Sequence, residues 1–174
     1  MKWLSEDFQN LRDLWVNQLR VLLSAEEQIV RTLPTMITHA NDEQLRQAFQ
    51  SHLQETEEHI KRLEEILAEQ KRSDAGLDNT SPAKCKTIAA MKTEAEDLFV
   101  DARDAWVRDA ALIAAAQRVE HFEIASYGTV RQWATLLGET RAAELLDQTA
   151  KEEGHADHLL TEISVRVNPK AKAA

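Results

Sequence analysis

Two glutamates stand where apolar side chains are expected. Glu123 has Ala116 and Val119 seven and four residues before it, and Tyr127 and Val130 four and seven after. Glu26 has Leu19, Leu22, Leu23, Ile29, Val30 and Leu33 at its own helical neighbour positions. Residues at these spacings share one face of an α-helix. An ionised carboxylate left unpaired on a buried face is strongly destabilising. Each must therefore be protonated, paired or bound to a cation.

Further ligand-type residues fall on similar faces. His52 and His59 lie on the apolar side of their helix, with Glu55 at its edge one turn from each. Glu120 falls within the inward arc of the helix that carries Glu123. Near the C-terminal end, Glu152 and Glu153 have about equal claims to the interior, and His155 follows three residues after Glu152. Glu27, by contrast, has Arg20, Ser24 and Arg31 beside it and faces water.

These residues must be positioned by helices. The chain of 174 residues has four Gly and three Pro and is rich in good helix formers, which argues for an all-α fold. Ser5, followed by Glu6 and Asp7, predicts a first helix start, and Pro34 predicts a kink or a loosened last turn. Asn41 with Gln44 three residues on reads as a capping box for a second helix reaching about Lys71. "SDAGLDNTSP" is the clearest loop, after which Ser81 and Pro82 would open a shorter third helix through Met91 and Phe99. A fourth helix over roughly 105–137 stops at Gly138, and a fifth runs from about Thr140 to Val165. The expected architecture is a four-helix bundle whose two hairpins are joined by a long crossover holding the extra helix. Residues 1–168 would form one domain and 169–174 a flexible tail.

Antiparallel hairpins place residues equidistant from the turn at one height. Glu26 and Glu55 are equidistant from the turn at 40–41, and Glu123 and Glu152 from the turn at 137–138, each pair being 29 residues apart. Glu120 is level with His155 by the same rule. This height match favours Glu152 over Glu153. Carboxylates from four helices at one level, with imidazole added, suit hard or borderline divalent metals. Four glutamates would balance two such ions.

The net charge of −9 argues against bulk electrostatic binding of nucleic acid. One cysteine, Cys85, excludes an intramolecular disulfide and any site with two thiolates, and predicts a packed free thiol. No apolar stretch approaches 18 residues, so a cytoplasmic chain with no membrane partner is expected.

The segments "SAEEQIVRTLP", "HLQETEEHIKRLE", "RDAALIAAAQRVEHFEIASYGT" and "TAKEEGHADHLLTEI" resemble, in order, the YciE/YciF-type ferritin-like stress proteins. The resemblance implies a ferritin-like bundle, a homodimer and a di-metal carboxylate site. It carries over by position to Glu26, His52, Glu55, Glu120, Glu123 and Glu152. Ferritin-like proteins place Glu-x-x-His on the second helix, whereas this chain has His52-x-x-Glu55 there; Glu152-x-x-His155 does follow the pattern.

The expected metal ligands are thus Glu26, His52, Glu55, Glu120, Glu123, Glu152 and His155, holding two divalent ions, iron first and manganese as the alternative. His52, His59 and His155 also have a simpler reading as core residues or as donors behind the ligands. His121 and His158 point outward. Tyr127 is a core aromatic whose hydroxyl could bond a ligand carboxylate, and the four tryptophans serve packing or a dimer contact. Three functions remain open: redox chemistry on iron with dioxygen or peroxide in stress protection, a non-enzymatic metal-holding dimer, and a metal-free interaction module.

Overall fold

The computed structural model describes residues 8–73 and 83–174. It contains five helices, α1 (Leu11–His39), α2 (Glu43–Ser73), α3 (Lys86–Asp101), α4 (Ala105–Leu136) and α5 (Thr140–Ala173), and no strand among the described residues. α1 packs along α2 and α4 along α5, and the two hairpins close into a ferritin-like four-helix bundle. The crossover between them carries α3, which lies against α4 and α1.

Side-chain caps set several helix starts. Asn10 caps α1 by accepting from the Asp13 amide at 3.0 Å; the start expected at Ser5 lies outside the described residues. The cap of α2 is Asp42, one residue beyond the expected Asn41. Asp42 Oδ1 accepts from the Gln44 and Leu45 amides at 3.0 and 3.1 Å, as N-cap carboxylates do. The Asn41 and Asp42 amides both donate to Asp109, each at 2.8 Å, which fixes the chain entering the helix. The Ser81–Pro82 start also lies outside the described residues, and α3 begins at Lys86. Gly138 ends the fourth helix as expected, at φ +77°. The Glu139 amide donates to the Ala134 carbonyl at 2.9 Å and the Gly138 amide to Thr135 at 3.2 Å, which is a Schellman closure.

Both internal prolines are carried by their helices. Pro34 lies in α1 and Pro169 in α5, each exposed, so the carbonyl that each leaves unbonded can face solvent. α5 consequently extends to Ala173, well past Val165, and residues 169–173, expected as a flexible tail, are helical. Lys170 Nζ sits 3.7 Å above the Trp106 ring, a cation–π contact that ties this end to α4.

The apolar core falls into two blocks. One, holding Leu33, Met36, Phe49, Ile113, Leu160 and Ile163, lies toward the α1–α2 turn. The other, holding Trp15, Leu19, Leu63, Ile66, Val130 and Leu146, lies toward the α4–α5 turn. Trp15 is fully buried and its indole N–H donates to the Val130 carbonyl at 3.0 Å. Polar latches close each end. Asp109 accepts from the Asn41 and Asp42 amides, both at 2.8 Å, and Arg166 pairs with Asp42. At the far end Arg12 bridges Gln70 and Glu139. On every long helix the gap between the two blocks is filled by acids and histidines.

Candidate metal centre

A repeat of seven brings these residues inward. α2 buries Leu45, His52, His59 and Ile66 in succession, and α5 buries Leu146, Glu153, Leu160 and Val167. α4 does the same with Asp109, Ala116, Glu123 and Val130, and with Ile113, Glu120, Tyr127 and Ala134, while α1 supplies Leu19, Glu26 and Leu33. This is the seam of helices packed nearly parallel, where every seventh residue returns to one face. At mid-height the seam turns from aliphatic to ligand-type on all four helices.

The result is a layer of six buried residues: Glu26, His52, His59, Glu120, Glu123 and Glu153. Two overlapping sets within it could hold an ion. Glu26, His59 and Glu153 form one, and His52, Glu120, Glu123 and Glu153 form the other, with the ligand atoms of each set mutually within 4.8 Å. Glu153 belongs to both. His59 Nδ1 lies 3.0 Å from Glu153 Oε1 and 3.6 Å from Glu26 Oε1, and His52 Nε2 lies 3.4 Å from Glu120 Oε1.

Among the described residues, eight buried side-chain nitrogen and oxygen atoms make no hydrogen bond, and all belong to these six residues. They include both oxygens of Glu123 and of Glu153. His59 Nδ1 and Glu153 Oε1 face each other at 3.0 Å, but buried polar atoms with no hydrogen bond are rare in folded proteins, and one that nothing pairs or coordinates is destabilising by about 1–3 kcal/mol. Carboxylate oxygen with imidazole nitrogen is the donor set of iron, manganese and zinc. The residues present therefore fit a pair of divalent ions.

Electrostatics give the same picture. Burial, followed by the neighbouring carboxylates, raises the Glu120 and Glu123 carboxyls well above their ordinary range. Burial raises Glu26 as well, opposed by its contact with His59. Burial also pulls His52 down to about 4, which keeps it in the neutral form that ligates metals. For His59 burial acts downward too, but the Glu153 and Glu26 carboxylates outweigh it and raise the ring to about 10. A site that gathers protons onto its acids and histidine in this way can exchange them for metal ions.

Neighbouring residues fix the orientation of the layer. His59 Nε2 contacts Glu152 Oε2 at 2.9 Å, which leaves Nδ1 facing Glu26 and Glu153. Glu152 itself is held by Arg62 and by Gln148 Nε2 at 3.0 Å. Burial pushes its carboxyl up, but Arg62, Gln148 and His59 prevail and hold it at about 2. Carboxylates commonly orient ligating histidines in this manner. On the other side the Tyr127 hydroxyl donates to Glu26 Oε1.

Of the seven residues expected as ligands, Glu26, His52, Glu120 and Glu123 meet in the layer. Glu55 stays at the rim, half exposed, with Oε2 4.0 Å from His52 Nδ1. His155 is exposed. The inward acid of α5 is Glu153, which corrects the choice of Glu152. The height match counts residues from a turn and leaves an error of one position, enough to exchange neighbours that lie 100° apart on a helix. The spacing Leu146–Glu153–Leu160 and the step from His52 to His59 carried the correct register.

The chain and its fold have relatives. The model of the family described as a domain of unknown function, DUF892, matches residues 10–172. Over 167 residues the chain is 38% identical to protein YciF of Escherichia coli (strain K12), covering 95% of this chain and 98% of that one. It superposes on the crystal structure of the E. coli stress protein YciF with a TM-score of 0.85 at 37% identity, covering 94% of this chain and 99% of that chain. It also superposes on YcfI from Rhodopseudomonas palustris with a TM-score of 0.83 at 36% identity, covering 91% and 98%. By family match, sequence identity and fold together, the chain belongs to the DUF892 family of YciF-type proteins.

Proposed function

We propose that the chain is a di-metal carboxylate protein that holds two divalent ions, iron with manganese as the alternative, in the mid-height layer. The observation that carries this reading is that the buried side-chain atoms lacking a hydrogen bond among the described residues, both oxygens of Glu123 included, are confined to Glu26, His52, His59, Glu120, Glu123 and Glu153. Glu26 and His59 would help hold one ion and His52, Glu120 and Glu123 the other, with Glu153 common to both sets. Redox-active ions held there would supply electrons to dioxygen or peroxide, and the likeness to the stress protein YciF, at 37% identity, supports a protective role.

The chain's own residues keep that chemistry contained. Glu152 holds His59 so that Nδ1 faces the acids, and Tyr127 holds Glu26. The apolar blocks above and below exclude water, which strengthens every interaction between a cation and these acids. Arg62 reaches this height but is taken by Glu152 at the rim, which weighs against an arginine-paired, metal-free core. The homodimeric state implied by the resemblance and the cytoplasmic location expected from the sequence belong to the same proposal, and sedimentation equilibrium tests the first.

An anaerobic Fe(II) titration followed by admission of oxygen tests the function. Saturation near two ions per chain, then oxidation with turnover, is the expected result. Stable binding without oxidation would point to metal holding alone, and no binding would overturn the proposal.

A further inference from the structure

Against His52 and Glu120 of the acidic layer lies a cavity of about 110 Å³. Its walls are Ile29, Leu33, Met36, Phe49, Met91 and Leu159, completed by small residues such as Ala115 and Ala116. Glu26, His59, Glu123 and Glu153 are not among its lining residues, so it lies to one side of the two ligand sets and meets them only at His52 and Glu120. Its polar end is His52 and Glu120, whose residues are 7% and 2% exposed and whose Nδ1 and Oε2 atoms make no hydrogen bond. Exposed Ser51 and His155 also line it, so it reaches the surface.

Away from the polar end and the mouth, where Glu55 and Lys92 also stand, the walls give water none of the two to four polar partners it needs. An engineered cavity of about 150 Å³ lined by Leu, Ile and Phe stays dry and takes up benzene or xenon. The dimensions here lie just below that. The walls offer shape and apolar contact, and the polar end offers the face of the proposed metal layer. Sites for small molecules combine these same features, an apolar lining with a few convergent polar groups.

We infer that this cavity binds a small apolar molecule, of benzene size or below, and holds it against His52 and Glu120. A guest would reach this end from the side opened by Ser51 and His155. This inference rests on the metal-centre reading for its use, but not for the binding itself.

Benzene is the probe. Calorimetric titration of the metal-free protein should show saturable uptake of one benzene per chain, with a rise in melting temperature that grows with benzene concentration. Ala116→Leu fills the wall and should abolish uptake while leaving the Mn(II) content of the reconstituted protein unchanged. Should that variant fail to fold, Ala156→Leu narrows the same cavity from α5 and should also abolish uptake. Absence of benzene binding in a wild-type protein that loads Mn(II) would overturn the inference, as would undiminished binding in the filled variant. Benzene binding in a protein that takes up no metal would leave the cavity site standing and remove the metal-centre reading instead.

Discussion

Replacing Glu123 by Leu separates a metal ligand from a structural ion pair. Glu123 is fully buried, neither of its oxygens is hydrogen-bonded, and burial with Glu26, Glu153 and Glu120 raises its carboxyl well above the ordinary range. In the metal-free protein it is therefore a source of instability. Leu has similar size and continues the Ala116–Val130 seam, so the substitution removes an unsatisfied group without opening a void. Replacing buried charged groups by apolar side chains is stabilising by about 1–4 kcal/mol where they are poorly paired. We expect a gain on the order of 1–3 kcal/mol in chelator, which for a chain of this length raises the melting temperature by about 2–4 °C per kcal/mol. The raised acid also gives a pH signature. Its folded carboxyl titrates above the unfolded value of 4.5, so metal-free wild type loses stability as pH rises from 4.5 through the raised range. The variant lacks this part of the loss. Thermal melts with chelator and with Mn(II) measure both effects, and Mn(II) should stabilise the variant far less than wild type. A variant that melts well below wild type in chelator would refute the reasoning, because Glu123 would then be serving a buried cation of the protein.

Glu153→Gln should strip more Mn(II) from the reconstituted protein than Glu152→Gln, while Glu27→Gln leaves the content unchanged; plasma emission analysis of desalted samples decides. Glu152→Gln should cost about 1–2 kcal/mol at pH 7, discounted for partial exposure. Because Glu152 is held at about 2, that difference should be complete above pH 4.5 and shrink as pH falls through 2, as followed by urea unfolding. Asp109→Ala removes the acceptor of the Asn41 and Asp42 amides at a fully buried position. It should lower unfolding stability by about 2–4 kcal/mol, read as a shift of the urea midpoint, with Mn(II) content retained.

Much of the layer was legible because burial of a charge is so unfavourable that the pattern has to advertise it. Glu26 and Glu123 stand among aliphatic residues at helical spacing, and Glu120 and His52 share their stripes. The helix order and the Gly138 stop were equally plain, since a positive φ leaves glycine as the natural occupant. What local pattern left open was a choice between adjacent residues. Glu152 and Glu153 both have apolar neighbours, and only the longer seven-residue seam through Leu146, Leu160 and Val167 selects Glu153. His59 sits in the same seam as His52 and Leu45, yet its role depends on Glu152 and Arg62 arriving from outside the layer, which no single helix reveals. Asp42 rather than Asn41 caps α2 in a tertiary setting, with both amides held by Asp109 from α4 and the Asp42 carboxylate paired with Arg166 from α5. The extension of α5 past Pro169 likewise follows from contacts made by Val167 and Lys170 rather than from local propensity.

The most direct test of the metal centre is the metal content of protein purified without chelator, checked again after anaerobic reconstitution with Fe(II) or Mn(II) and removal of the excess. The six-residue layer, with Glu153 common to both ligand sets, should hold close to two ions per chain. Content that stays near zero after reconstitution of folded protein would contradict it.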